Sequence, residues 1–247
     1  MNHIHLEELA MNAWPALQTV LYDGWIVRFA KGYTKRANSV TPLYPGTLFV
    51  DEKVEQCEHL FQQQKLRPTF RLSQAIDISE VDAQLSTRGY KRIDTTSVQT
   101  VDLYELDVEQ SRRAYLLPDY SGMESWLSSF HELSGDHRTD DKTHKEMLAN
   151  IKGETGYMVI MTDEGVVACG LGVVERGYLG IFDVVTNPAQ RNKGYGTELM
   201  TSLLAWGKDC GADFSSLQVM TNNPAALSLY AKLGYKEQYQ YWYRVLN

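Results

Sequence analysis

Six consecutive residues, Arg191-Asn192-Lys193-Gly194-Tyr195-Gly196, carry the strongest chemical signal in the chain. They follow an apolar run, Ile181 to Val185, that closes on Thr186-Asn187-Pro188. They precede a segment with Leu199, Leu203 and Trp206 on one helical stripe and Met200 and Leu204 beside it. A strand, a short glycine loop and a helix start together make an anion site. The first-turn N–H groups of a helix have no partner within it, and the helix dipole favours negative charge there. Glycines let the backbone close on a diphosphate without a Cβ in the way. Arg191 and Lys193 add positive charge. Two other nucleotide motifs are excluded. A dinucleotide fingerprint needs glycine where Leu199 stands, and a P-loop needs Ser or Thr after Gly-Lys, whereas Tyr195 follows Gly194.

A second constellation lies downstream. Asn223 suits a helix N-cap, Pro224 the first helical position and Gly234 the position just past the end. Tyr230 shares a face of that helix with Ala226 and Leu227, a pattern equally suited to a core tyrosine. Among the carboxylates, Asp183 stands mid-strand between Phe182 and Val184, where a charge needs a reason; a hydrogen-bonded or edge position would also supply one. Glu175 closes the preceding strand, and Asp136-His137 falls in a polar loop. His131-Glu132 lacks the second histidine of a zinc-protease helix, so no metal is implied.

Taken together, Arg-x-x-Gly-x-Gly after a Thr-x-Pro strand end, and Asn223-Pro224-Ala225-Ala226-Leu227-Ser228-Leu229-Tyr230-Ala231-Lys232-Leu233-Gly234-Tyr235 at the right distance, resemble the two cofactor elements of the GNAT N-acetyltransferase superfamily. The resemblance covers about 130 residues. It implies acetyl-CoA as cosubstrate and direct attack of an amine on the thioester. It also implies a sheet that splits where the strand ending near Thr186 leaves the strand Ser215 to Met220. The pantetheine arm then lies along Asp183, Val184, Val185 and Thr186. The diphosphate rests on Arg191, Asn192, Lys193, Gly194, Tyr195, Gly196 and Thr197, with Asn223, Ala226 and Tyr230 also on the cofactor side. An alkyl ammonium must lose a proton before it can attack, and the departing thiolate needs one. Tyr230 is the candidate acid and Asp183 the candidate base. An acyl-CoA-binding sensor without catalysis is the alternative, and a wider pocket near Leu171, Val173 and Val184 would instead suit a longer acyl chain. The acceptor is a small molecule or a protein amino group; its identity, like the assembly state (a homodimer among the options), is not readable here.

The elements that must position these residues follow from pattern. Helices are expected at 4–20, 51–65, 123–133, 142–151, 193–210 and 224–233. Strands are expected at 24–30, 38–43, 68–72, 91–103, 157–161, 166–175, 178–186, 215–220 and 237–245. A further short helix follows Asp77-Ile78-Ser79-Glu80, which has capping-box spacing, and ends at Gly89. The segment 105–122 is charged and then turn-rich, which places a domain junction near Tyr115. Gly89-Tyr90-Lys91 and Gly234-Tyr235-Lys236 each join a helix to a strand, 145 positions apart, and the same offset pairs Leu72 with Leu217. Related halves are therefore expected: an α/β protein of tandem GNAT-like domains, each a mixed, mostly antiparallel sheet flanked by helices on both faces. Residues 1–114 form a degenerate domain, since Gly46 to Asp51 stand where the phosphate loop should be and Leu85 where Tyr230 should be; residues 115–247 form the catalytic one. The hairpin Asp23 to Ser39, with Trp25, Arg28, Tyr33, Arg36 and Asn38, is either an acceptor-side surface or a structural hairpin.

Composition agrees. The chain has 247 residues, enough for two domains, with 43% hydrophobic and 22% charged residues. A net charge of −7 argues against a nucleic-acid partner. Three scattered cysteines, Cys57, Cys169 and Cys210, fit a reducing cytoplasm better than a disulfide framework. No apolar run reaches membrane-spanning length, so no membrane partner is expected.

Overall fold

A computed structural model describes residues 2–135 and 141–246. The chain divides into two compact units. The first comprises residues 1–98, 219–223 and 237–247; the second comprises 99–218 and 224–236. The C-terminal strand thus belongs to the first unit although the helix before it belongs to the second. By contrast, the turn-rich stretch near Tyr115 carries a strand of the second unit.

The first unit opens with α1 (His3–Ala13), β1 (Gln18–Tyr22), β2 (Trp25–Phe29) and β3 (Val40–Pro42). Then come α2 (Val50–Gln63), β4 (Thr69–Ser73), α3 (Ser79–Thr87) and β5 (Lys91–Asp102). The second unit contributes β6 (Ala114–Leu117), α4 (Asp119–Ser134), α5 (Asp141–Ala149), β7 (Glu154–Thr162), β8 (Gly165–Glu175) and β9 (Tyr178–Thr186). It continues with α6 (Tyr195–Asp209), β10 (Phe214–Met220) and α7 (Pro224–Lys232), after which β11 (Lys236–Val245) ends the chain. Strand order is β1-β2-β3-β4-β11-β5 in the first unit and β10-β9-β8-β7-β6 in the second. Each set of strands is mixed: β3–β4 and β9–β10 run parallel, and β1–β2, β2–β3, β4–β11, β6–β7, β7–β8 and β8–β9 antiparallel. Among the described residues no helix is long and apolar enough to cross a membrane.

Two elements differ from the sequence expectation. The first helix stops at Ala13, because Pro15 cannot continue it, and the residues beyond form β1. The short strand β6 was hidden because four residues in a charged context show no readable alternation. The Asp77 carboxylate does not close a capping box but bonds Ser79 N at 3.0 Å and Ser79 Oγ at 2.7 Å.

The first unit's core gathers Trp25, Val27, Phe29, Val40, Val54, Phe61, Phe70, Leu72 and Leu85. Each such side chain contributes about 1.5–3 kcal/mol of burial. In the second unit, α6 packs on the sheet through a glycine trough. Gly156 on β7 and Gly172 on β8 are register partners. A Cβ on either would lie 2.9 and 2.7 Å from the Trp206 indole, so the ring lies flush where only hydrogen is tolerated. This seating holds the C-terminal half of α6 against β7 and β8.

Candidate active site

The parallel pairing of β9 with β10 runs from Tyr178↔Phe214 to Ile181↔Leu217 and goes no further, although β9 continues to Thr186. Beyond Ile181 the sheet is split. Ile181 and Phe182 are buried, whereas Asp183, Val184, Val185 and Thr186 are half-exposed. On its other edge β9 is bulged: Cys169 faces Val185 and Leu171 faces Phe182, so Gly170 alone opposes Asp183 and Val184. Asp183 takes φ +48, a left-handed backbone that a side-chain-bearing residue adopts at a cost of about 1–3 kcal/mol. A bulge of this kind removes ladder partners from the backbone and re-aims a side chain. The Trp126 indole of α4 compensates by donating to the Gly170 carbonyl at 3.1 Å.

The anion loop lies past the open end of β9. The Asn187 side chain accepts from Ala189 N at 2.9 Å and closes a short 3-10 turn. Arg191 to Gly194 follow, all exposed. Gly194 adopts φ +88 immediately before α6, and among the described residues nothing beyond its chain neighbours lies within 4 Å of where its Cβ would be. The amides of Tyr195, Gly196 and Thr197 begin the helix with no carbonyl one turn behind them. Lys193 Nζ is held by Gln190 Oε1 at 2.6 Å. Glu198, the one acid in the first turn, is ion-paired with Arg113 and accepts from Ser111 Oγ at 3.1 Å. Its charge is thereby balanced, and the Arg113 guanidinium sits 5.1 Å from the Tyr195 ring centroid. An exposed helix start, a left-handed glycine and flanking cations fit a diphosphate, and the split strand fits an extended arm.

The helix α7 is moored to this same corner. A Cβ on Gly196 would lie 3.5 Å from Leu229 Cδ2 and 3.5 Å from Thr186 Oγ1. At the helix end Gly234 takes φ +87, and Tyr235 N bonds back to Tyr230 O at 3.1 Å. The Tyr235 hydroxyl is 2.6 Å from Ser215 Oγ, which donates to Leu179 O at 3.1 Å. Tyr230 is buried, its ring centroid 5.9 Å from that of Tyr235. Burial pushes its phenol up to about 12, so it stays protonated across the neutral range. Ala226 is half-buried one turn earlier, and Asn223 is exposed immediately before the helix.

Two neighbours of the bulge were not legible in the sequence. One is Trp126; the other is His144 of α5, whose Nε2 lies 3.4 Å from Asp183 Oδ2. The signal for His144 was its i, i+3, i+4 spacing with Met147 and Leu148, which are buried on the same face. Phe130, His131 and Tyr157 complete an aromatic cluster around Trp126 and His144. Glu175 pairs with Arg176 at 3.1 Å at the opposite end of β8 from the bulge. Asp136 and His137 lie outside the described residues. The hairpin residues Arg28 and Asn38 are used inside the first unit. Arg28 Nη1 donates to Arg36 O at 3.2 Å, and Asn38 Oδ1 accepts from Ala30 N at 2.7 Å and Gly32 N at 2.9 Å.

Comparison with known proteins bears on this geometry. A family model described as "Probable histone acetyltransferase Rv0428c C-terminal" matches residues 3–244. The chain is similar to the protein called "Uncharacterized N-acetyltransferase YobR" of Bacillus subtilis, at 28% identity over 242 residues covering 97% of each. Its fold is similar to that of a GCN5-related N-acetyltransferase from Kribbella flavida, with a TM-score of 0.74 at 15% identity over 98% of this chain and 95% of that one. A tandem GNAT protein from the clavulanic acid biosynthesis pathway superposes with a TM-score of 0.60 at 14% identity, over 97% of this chain and 87% of that one. With the family model spanning nearly its whole length and the split sheet and glycine loop in place, the chain belongs to the Rv0428c C-terminal acetyltransferase family, within the GNAT superfamily of N-acetyltransferases.

Proposed function

We propose that the second unit transfers an acetyl group from acetyl-CoA directly to a primary amine at the split between β9 and β10. The observation that carries this reading is the conjunction of an unpaired helix start behind Gly194 with a parallel strand pair that parts at Ile181↔Leu217. Acetyl-CoA supplies an activated thioester carbonyl. The amides of residues 194–197 grip the diphosphate, with Arg191 and Lys193 beside them. The backbone of Val184 and Val185 holds the arm, and an N–H of the bulged segment polarises the carbonyl. Asp183 takes the proton of the incoming ammonium. A carbon–nitrogen bond forms, the carbon–sulfur bond breaks, the acylated nitrogen sheds its remaining extra proton to water, and Tyr230 protonates the sulfur and is reprotonated from solvent, as Asp183 is deprotonated. The raised pKa of Tyr230 keeps it a donor at neutral pH.

The division of labour between a catalytic 115–247 region and a degenerate 1–114 region is also our reading. Its support is the offset of 145, which carries α3 onto α7 residue for residue and the start of α2 onto the start of α6. Gly89 and Gly234 share φ +87, and Tyr90 N bonds Leu85 O just as Tyr235 N bonds Tyr230 O. In the loop just ahead of the corresponding helix start in the first unit, the anion is the chain's own. The Asp23 carboxylate accepts from Thr47 N at 2.9 Å and Leu48 N at 3.0 Å and pairs with Lys53 Nζ at 3.0 Å. These bonds hold it well below the usual carboxylate range. A built-in carboxylate thus occupies the loop amides just ahead of α2.

The test is thiol release from acetyl-CoA across a panel of primary amines and poly-L-lysine, the latter because the family's description names a histone acetyltransferase. Turnover with at least one amine, and a lowered kcat with unchanged KM for acetyl-CoA in Tyr230→Phe, are expected. CoA binding with no turnover for any amine would instead favour the sensor alternative.

A further inference from the structure

We infer that His144 is a positioning residue for Asp183, holding its carboxylate at the bulge from behind. This rests on the reading of Asp183 as proton acceptor. The α5 helix is polar: Lys142 pairs with Glu146 at 3.9 Å, and Lys145 pairs with Glu124. Yet His144 is 0% exposed. A buried imidazole needs a polar partner, because burial without one is costly. One charged neighbour of its Nε2 is the Asp183 carboxylate, whose own backbone sits at φ +48 in the bulge. Strain of this kind persists only where the surroundings over-determine it. The order of exposure sets the roles. The Asp183 side chain is 16% exposed and His144 is fully enclosed, so an amine reaches the carboxylate and not the imidazole. The imidazole is walled by Phe130 at 5.6 Å, His131 at 5.7 Å and Trp126 at 6.4 Å between ring centroids. Trp126 also bonds Gly170 O opposite the bulge, so one cluster touches both strands at the bulge. At 3.4 Å the pair is a close electrostatic contact and not a formed hydrogen bond; resting catalytic contacts often tighten only when substrate arrives.

Four variants test the assignment: His144→Leu, His144→Gln, Asp183→Asn and the His144→Leu/Asp183→Asn double variant. Thiol release from acetyl-CoA with poly-L-lysine and simple primary amines is the assay. His144→Leu should lower kcat about 100-fold, the scale of a misplaced catalytic group, with KM for acetyl-CoA unchanged. His144→Gln, whose amide N–H stands where the Nε2 proton stands, should recover most of the rate. In the Asp183→Asn background, His144→Leu should add little, since the two act as one unit. Wild-type kcat in His144→Leu, equal losses in the Leu and Gln variants, or fully additive losses would each overturn the inference. Full turnover by Asp183→Asn would remove the base assignment itself. An inactive Asp183→Asn beside an active His144→Leu would remove only the role of His144. The imidazole nitrogen resonances of the ligand-free protein give an acceptor-independent readout. Asp183→Asn should shift those of His144, and unshifted signals would end the proposal even if His144→Leu failed to fold.

Discussion

Replacing Gly194 separates backbone geometry from charge at the loop. Its φ of +88 and ψ of −7 are left-handed, so any side-chain-bearing residue there costs about 1–2 kcal/mol to hold in place. Among the described residues nothing beyond its chain neighbours lies within 4 Å of the position its Cβ would take, so no steric clash with the rest of the fold adds to that. Gly194→Gln and Gly194→Glu therefore share the backbone cost and differ in one negative charge. At a separation of about 6 Å and an effective dielectric near 20, a unit charge pair is worth about 3 kcal/mol, and screening at an exposed loop removes roughly half. A difference of about 1.5 kcal/mol is tenfold in affinity, and a diphosphate carries more than one charge. Isothermal titration calorimetry with CoA should thus show the Glu variant binding at least about tenfold more weakly than the Gln variant. The gap should narrow as salt rises, and the two melting temperatures should match. Equal affinities of the two variants would refute electrostatic capture of phosphate at this helix start.

Three further outcomes follow from the same geometry. Trp126→Phe strands the buried Gly170 carbonyl and should cost about 1–3 kcal/mol in urea unfolding with an unchanged m-value; an unchanged midpoint would show that the indole bond does not support the bulge. Asp23→Asn should destabilise the protein in a pH-dependent way. Because the folded carboxyl is depressed, the wild-type advantage is complete above the ordinary carboxylate pKa of about 4 and shrinks as pH falls through the folded value. Thermal melts of both proteins between pH 2 and pH 7, stepped at about one unit, check this, and a pH-independent gap would contradict it. Burial pushes Tyr230 up to about 12, so kcat should not fall on its account between about pH 8 and pH 10; a decline in that window that Tyr230→Phe abolishes would contradict the raised pKa.

Much of the local structure around the candidate site was legible because its parts are local. The anion loop and the helix after Asn223 announce themselves by glycine spacing and capping residues, and α6, α7, β8 and β9 fall close to where periodicity places them. What was hidden depends on partners far apart in sequence. The bulge at Asp183 exists only because Gly170 faces two residues of β9. His144 becomes relevant only once α5 is laid over that bulge. Asp23 reads as a turn residue until Thr47 and Leu48 are brought to it across 24 and 25 positions. The membership of β11 in the first unit is likewise a long-range fact, set by its antiparallel pairing with β4 from Tyr241↔Ser73 to Val245↔Thr69.

The most direct measurement is a crystal structure of the protein with CoA bound. The diphosphate should lie within hydrogen-bonding distance of the amides of residues 194–197, with the arm running along Val184 and Val185 in the split. A diphosphate seated anywhere else, for instance at Thr47 and Leu48 with Asp23 displaced, would contradict the account.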